Sequence, residues 1–150
     1  MNQATTTDVP AFLPATTHAY LLRSAASLAE AMESDDVATS YACAHVAALQ
    51  AAAALLAART TPTVAGRRRQ QRNAWVLLSE VAPELAEWAA FFSAGAAKRA
   101  AAEAGSTRAV LPGESDQLVR DADRFLAVVE QSLGLMPHAP SAARHERRVG

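Results

Sequence analysis

Between Asp36 and Arg59 the chain reads DVATSYACAHVAALQAAAALLAAR, a run that is apolar on nearly every side once it is wound as a helix. Alanine is the strongest helix former. Tyr41, Ala44, Ala48 and Leu55 fall on one stripe, and Val46, Leu49, Ala53 and Leu56 on another. A helix with two apolar faces has to be enclosed by other helices, so this segment is expected to be the central helix of an all-α protein. About a quarter of the residues are alanine and 5% are aromatic, which favours close helix-on-helix approach through small side chains over sheet packing. With His45 and Gln50 inside it and alanine as its main component, the run makes a poor membrane span.

The rest of the chain divides around it. Residues 1–14 are rich in Thr and Pro and read as a flexible N-terminal tail. Thr16 or Thr17 is placed to cap a first helix, in which Leu21, Ala25, Leu28 and Met32 repeat at helical spacing and are expected to face the core. Ser34, Asp35 and Asp36 supply a turn and the cap of the central helix. RTTPTVAGRRRQQR, residues 59–72, has the Pro, Gly and basic content of an exposed loop. Asn73 caps a third helix whose Trp75, Leu78, Val81, Leu85, Trp88 and Phe92 run through Pro83; the proline must kink it or begin a new segment. Gly105 sits where a left-handed cap belongs. Ser115 or Asp116 is expected to cap a last helix with the stripe Leu118, Ala122, Phe125, Val129 and Leu133, ended by Gly134 and Pro137. The fold class is therefore an up-and-down four-helix bundle over residues 15–135, followed by a flexible basic C-terminal tail, 136–150. The large side chains of the third helix are expected to fill space that the alanines of the second leave open.

The formal net charge of -1 excludes a globally basic nucleic-acid binder but not a local basic patch. Cys43 is the only cysteine, so no intrachain disulfide forms, and it reads as a small core residue rather than a reactive thiol. The N-terminus lacks a basic stretch followed by an apolar run, and a cytoplasmic protein with no membrane contact is expected. His18, His138 and His145 lie in or near the ends, and no histidine pair has the spacing of a metal site; neither metal nor cofactor is expected.

Taken in order, YACAHVAALQAAAALLAAR, the basic loop, WVLLSEVAPELAEWAAFFSAGAAKRAAAEAG and DQLVRDADRFLAVVEQSLG resemble the HEPN (higher eukaryotes and prokaryotes nucleotide-binding) superfamily, in particular a small stand-alone branch from high-GC Gram-positive bacteria. APELAEWAAFF is the most specific part. The resemblance implies a four-helix bundle with a short extra helix, a homodimer, and in many members a metal-independent endoribonuclease of toxin or defence type. In those enzymes an arginine precedes a histidine by four to six residues on a late helix. Here Arg120-Asp121 and Arg124-Phe125 occupy the last helix, yet no histidine follows either on it, and Arg144-His145 are adjacent in the tail.

Three readings follow. The first is a HEPN-like module without the ribonuclease motif that dimerises and binds a protein, nucleotide or RNA partner, with Arg67, Arg68, Arg69 and Arg72 as a phosphate-attracting cluster. The second is a ribonuclease using Arg120 or Arg124 with His45 or a base from a partner. The third is a small-molecule pocket near Tyr41, His45 and Trp88, in which Tyr41 donates and His45, one helical turn on, accepts.

Overall fold

The computed structural model describes residues 12–60, 73–105 and 110–140. The arginines expected to attract phosphate, Arg67, Arg68, Arg69 and Arg72, lie outside them, as do the first eleven and last ten residues. The chain is an all-α bundle. Its helices are α1 (Ala15–Glu33), α2 (Val37–Arg59), α3 (Ala74–Val81), α4 (Ala86–Ala94), α5 (Ala96–Glu103) and α6 (Pro112–Ser132), with a 3-10 turn at Pro83–Leu85. Among the described residues there is no strand.

Helix α2 packs against α1, α3, α5 and α6, the central position its two apolar faces require. It is long and apolar enough to cross a membrane by length and composition, but most of it is buried inside the bundle. Asp36 caps it, its carboxylate accepting the Thr39 amide at 2.9 Å. Asn73 caps α3 by accepting the Trp75 and Val76 amides at 3.1 and 3.2 Å. Each satisfies donors that the first turn leaves open.

Helix α1 meets the core through hydroxyls as well as through part of the expected apolar stripe, of which Leu28 is buried and Leu21 packs against the core. Thr17 Oγ1 donates to the Ala54 carbonyl at 2.9 Å, Ser24 Oγ to that of Ala47 at 2.7 Å, and Ser40 Oγ to that of Ala31 at 2.6 Å. The pairs recur at seven-residue intervals on both helices and hold one antiparallel register. Small side chains let the backbones approach closely enough for a hydroxyl to reach the neighbouring helix, and each buried hydroxyl is thereby satisfied. Two expectations change. Thr17 does not cap α1, which begins after Pro14 without a side-chain cap. Of Leu21, Ala25, Leu28 and Met32, Leu28 is fully buried while Ala25 is exposed, because the contact line is rotated onto Thr17, Ser24, Leu28 and Ala31.

Pro83 starts a new segment: the Ala82 amide closes α3, and the 3-10 turn leads into α4. A second break, at Gly95, separates α4 from α5. A β-carbon on Gly95 would lie 3.4 Å from the Tyr41 hydroxyl and 3.6 Å from His45 Nε2, ordinary van der Waals contact, so the break lies directly beside α2. Gly105 and Gly134 have φ of 87° and 80°, both left-handed. The last helix starts earlier than Ser115: Pro112 opens it, and Glu114 accepts the Leu111 amide at 2.9 Å.

The alanines of α2 at 44, 48, 51 and 52 are fully buried in the same core as an aromatic layer from α3, α4 and α6. Trp75 stacks on Phe92 at 5.1 Å, Phe92 meets Phe125 at 5.1 Å, and Trp88 meets Phe125 at 5.4 Å. Ring pairs of this kind contribute roughly 0.5–1.5 kcal/mol beyond burial.

Candidate functional site

His45 is 1% exposed and has Trp75 and Phe92 edge-on to its ring. Its Nε2 lies 3.0 Å from the Phe92 carbonyl. A carbonyl can only accept, so Nε2 carries the proton and donates. Nδ1 is then the bare nitrogen, buried without a partner. Burial holds the imidazole below its ordinary pKa, against the opposing pull of the Phe92 hydrogen bond. The expected pairing, in which Tyr41 donates to His45, is corrected accordingly: Nε2, the nitrogen that faces Gly95 together with the Tyr41 hydroxyl, is already a donor. Tyr41 is also buried, which pushes its phenol up, with Lys98 opposing and Glu114 assisting. Lys98 is ion-paired with Glu114, joining α5 to the first turn of α6. Cys43 packs at the edge of the core, where burial and then Glu30 raise its thiol.

The surface groups gather elsewhere. Trp88 and Phe91 of α4 and Asp121 and Arg124 of α6, with Glu87, line an open cleft of about 310 Å³. Residues 87, 88 and 91 share one face of α4, and 121 and 124 share one face of α6. Phe125 and Phe92 support Trp88 from the core side, and Phe92 also holds Phe91, edge-on at 5.0 Å. Both rings are thus braced by core aromatics, yet Phe91 keeps 49% of its surface open. Arg124 makes no hydrogen bond or ion pair with the described residues. Asp121 accepts from Gln117 Nε2 at 3.1 Å, and Gln117 Oε1 in turn accepts from Arg120 at 2.9 Å. Arg120 is thus committed along α6 while Arg124 is available. His45 and Tyr41 do not line this cleft.

A third polar group went unnoticed in the sequence. After Gly134 the chain turns back, and His138 lies between two α6 carboxylates, with Nδ1 2.6 Å from Glu130 Oε1 and Nε2 2.7 Å from Asp123 Oδ1. Burial opposes the charge on the ring, but the two carboxylates outweigh it and raise the pKa. Among the described residues no group of three or more His, Cys, Asp or Glu side chains is arranged so that it could hold a metal ion.

The central helix α2, the aromatic α4 and nearly all of α6 fall within residues 31–130, two thirds of the chain, which match the family described as SAV_6107-like HEPN. The chain belongs to the SAV_6107-like HEPN family. Neither a curated protein nor a solved structure gives a match. In this HEPN domain the arginines of the last helix therefore differ in surroundings: Arg124 opens on an aromatic cleft, and Arg120 serves Gln117.

Proposed function

We propose that this HEPN domain is a binding module without ribonuclease chemistry, and that the cleft between α4 and α6 seats an unpaired base of a nucleotide or single-stranded RNA. The observation that carries this reading is the meeting of a half-exposed phenylalanine, a braced tryptophan and an uncommitted arginine in one cleft. Bases stack on such rings whatever their identity, at roughly 1–3 kcal/mol each, and a guanidinium takes a phosphate through paired N–H donors. The histidine of the family's ribonuclease pattern has no counterpart beside Arg124: His45 is sealed behind Phe92 with one nitrogen committed, and no histidine follows Arg120 or Arg124 on α6.

Dimerisation belongs to the same reading. Ala15, Ala19, Leu22, Ala26 and Ala29 form an outward stripe on α1 at alternating four- and three-residue spacing, and Leu22 is 73% exposed. This is the spacing of a helix-pairing seam, and we assign the homodimer contact to it.

The test is fluorescence polarisation of a labelled single-stranded RNA without metal, followed over time, with wild type, Phe91→Ala and Arg124→Ala. Stable binding is expected that weakens about tenfold or more in Phe91→Ala, in line with the stacking energy, and weakens also in Arg124→Ala through loss of the paired N–H donors to phosphate. A signal that decays as the RNA is cut would overturn the module in favour of an enzyme. Unchanged affinity in both variants would place binding elsewhere.

A further inference from the structure

Resting on the base-seat reading above, we infer that the cleft selects guanine, through the carboxylates of Glu87 and Asp121. They come from different helices, α4 and α6, and line the same space as the Trp88 and Phe91 rings. Two carboxylates beside one guanidinium leave a place for a single phosphate at Arg124 but make no track for several, which would be repelled along the rest of the rim. They do suit the edge of a base that offers donors, because an ionised carboxylate only accepts hydrogen bonds.

Guanine alone among the four RNA bases presents two adjacent donors, N1–H and N2–H, on its Watson–Crick edge. Adenine and cytosine place a bare ring nitrogen beside the amine, and uracil sets one N–H between two carbonyls. Each of those bare acceptors would face a carboxylate and lose its water without replacement. Asp121 is also held in place: Gln117 occupies its Oδ1, and Arg120 fixes Gln117, which leaves the second oxygen for a ligand. Gln117 and Arg120 are positioning residues here. Arg124, three residues along the same face, takes the phosphate.

The experiment measures binding of GMP, AMP, CMP and UMP to the full chain by tryptophan fluorescence, alongside eight-residue uridine RNAs carrying one variable central base. Guanine is expected to bind about tenfold or more tightly than adenine, the lower range for hydrogen bonds to a charged group. Glu87→Gln and Asp121→Asn are expected to bring that ratio to within about twofold, since an amide repels a bare acceptor less. A guanine preference for both GMP and the oligonucleotide identifies a free nucleotide as sufficient; one seen only in the oligonucleotides identifies a strand, and either supports the inference. Equal binding of all four bases that Phe91→Ala weakens would overturn guanine selection and leave the base seat standing. A preference untouched by both substitutions would overturn the role of the carboxylates. No binding of any of these ligands would overturn the seat as well.

Discussion

His138 reaches α6 only because Gly134, at a φ of 80°, turns the chain back after the helix. Its ring then donates to both Asp123 and Glu130, an arrangement that favours the charged imidazolium. The folded pKa lies above the ordinary 6.5, so the stability it contributes is complete below about pH 6.5, the unfolded value, and is lost as pH climbs through the raised value. His138→Ala is expected to cost about 1–3 kcal/mol at pH 6 and less at pH 9, read from urea unfolding at the two pH values. An equal loss at both would show that the charge does not matter. His45 has the opposite sign. Burial lowers its pKa, so its contribution is present above about pH 6.5 and is lost as pH falls through the lowered value. Stability should therefore decline on both sides of neutrality. Nothing in the sequence pointed to the His138 contact, because it joins residues eight and fifteen apart through a turn that periodicity does not register.

At the scale of elements, α1 and α2 are held by a seven-residue rhythm of hydroxyls and alanines. Ser24→Ala removes one buried hydrogen bond and should cost about 1 kcal/mol. Ser24→Leu must force the helices apart, and overpacking of this kind costs about 1–3 kcal/mol in addition to the lost bond. Thermal or urea unfolding of the two variants distinguishes them, and a leucine variant as stable as the alanine one would contradict the close approach. The helices themselves were legible: Asp36, Asn73, Pro83, Gly105 and Gly134 all mark boundaries as their chemistry demands. The face of α1 was legible only in part: Leu28 is buried, but apolar periodicity ranks leucine and methionine above serine and threonine, and Thr17 and Ser24 share the contact line. Gly95 was missed for a related reason. Alanines on both sides of it carry a helical signal, and the break lies where the chain passes Tyr41 and His45.

For the whole molecule, the family pattern and the central helix could be read from α2 outwards, and Trp88 and Arg124 could each be singled out. Their meeting could not, because it depends on how α4 and α6 dock around Phe92 and Phe125, a long-range consequence of packing. That docking separates two sets of groups that the sequence presented as candidates together. Tyr41 and His45 face inward at the Gly95 break, and Arg124 faces outward over the aromatic cleft. If the cleft alone binds RNA, one arginine meets about one phosphate, and the logarithm of affinity should fall with the logarithm of salt at a slope of roughly -0.7. A slope several times steeper would bring in the arginines at 67, 68, 69 and 72.

The most direct test uses the two tryptophans of the chain, one buried in the core and one lining the cleft. In a nitrogen–proton correlation spectrum they give two indole N–H signals, assigned by Trp88→Phe. On titration with a short single-stranded RNA without metal, the Trp88 signal should move first and furthest while that of Trp75 moves little. Movement confined to the Trp75 signal, or binding that leaves both in place, would contradict a base seat between α4 and α6.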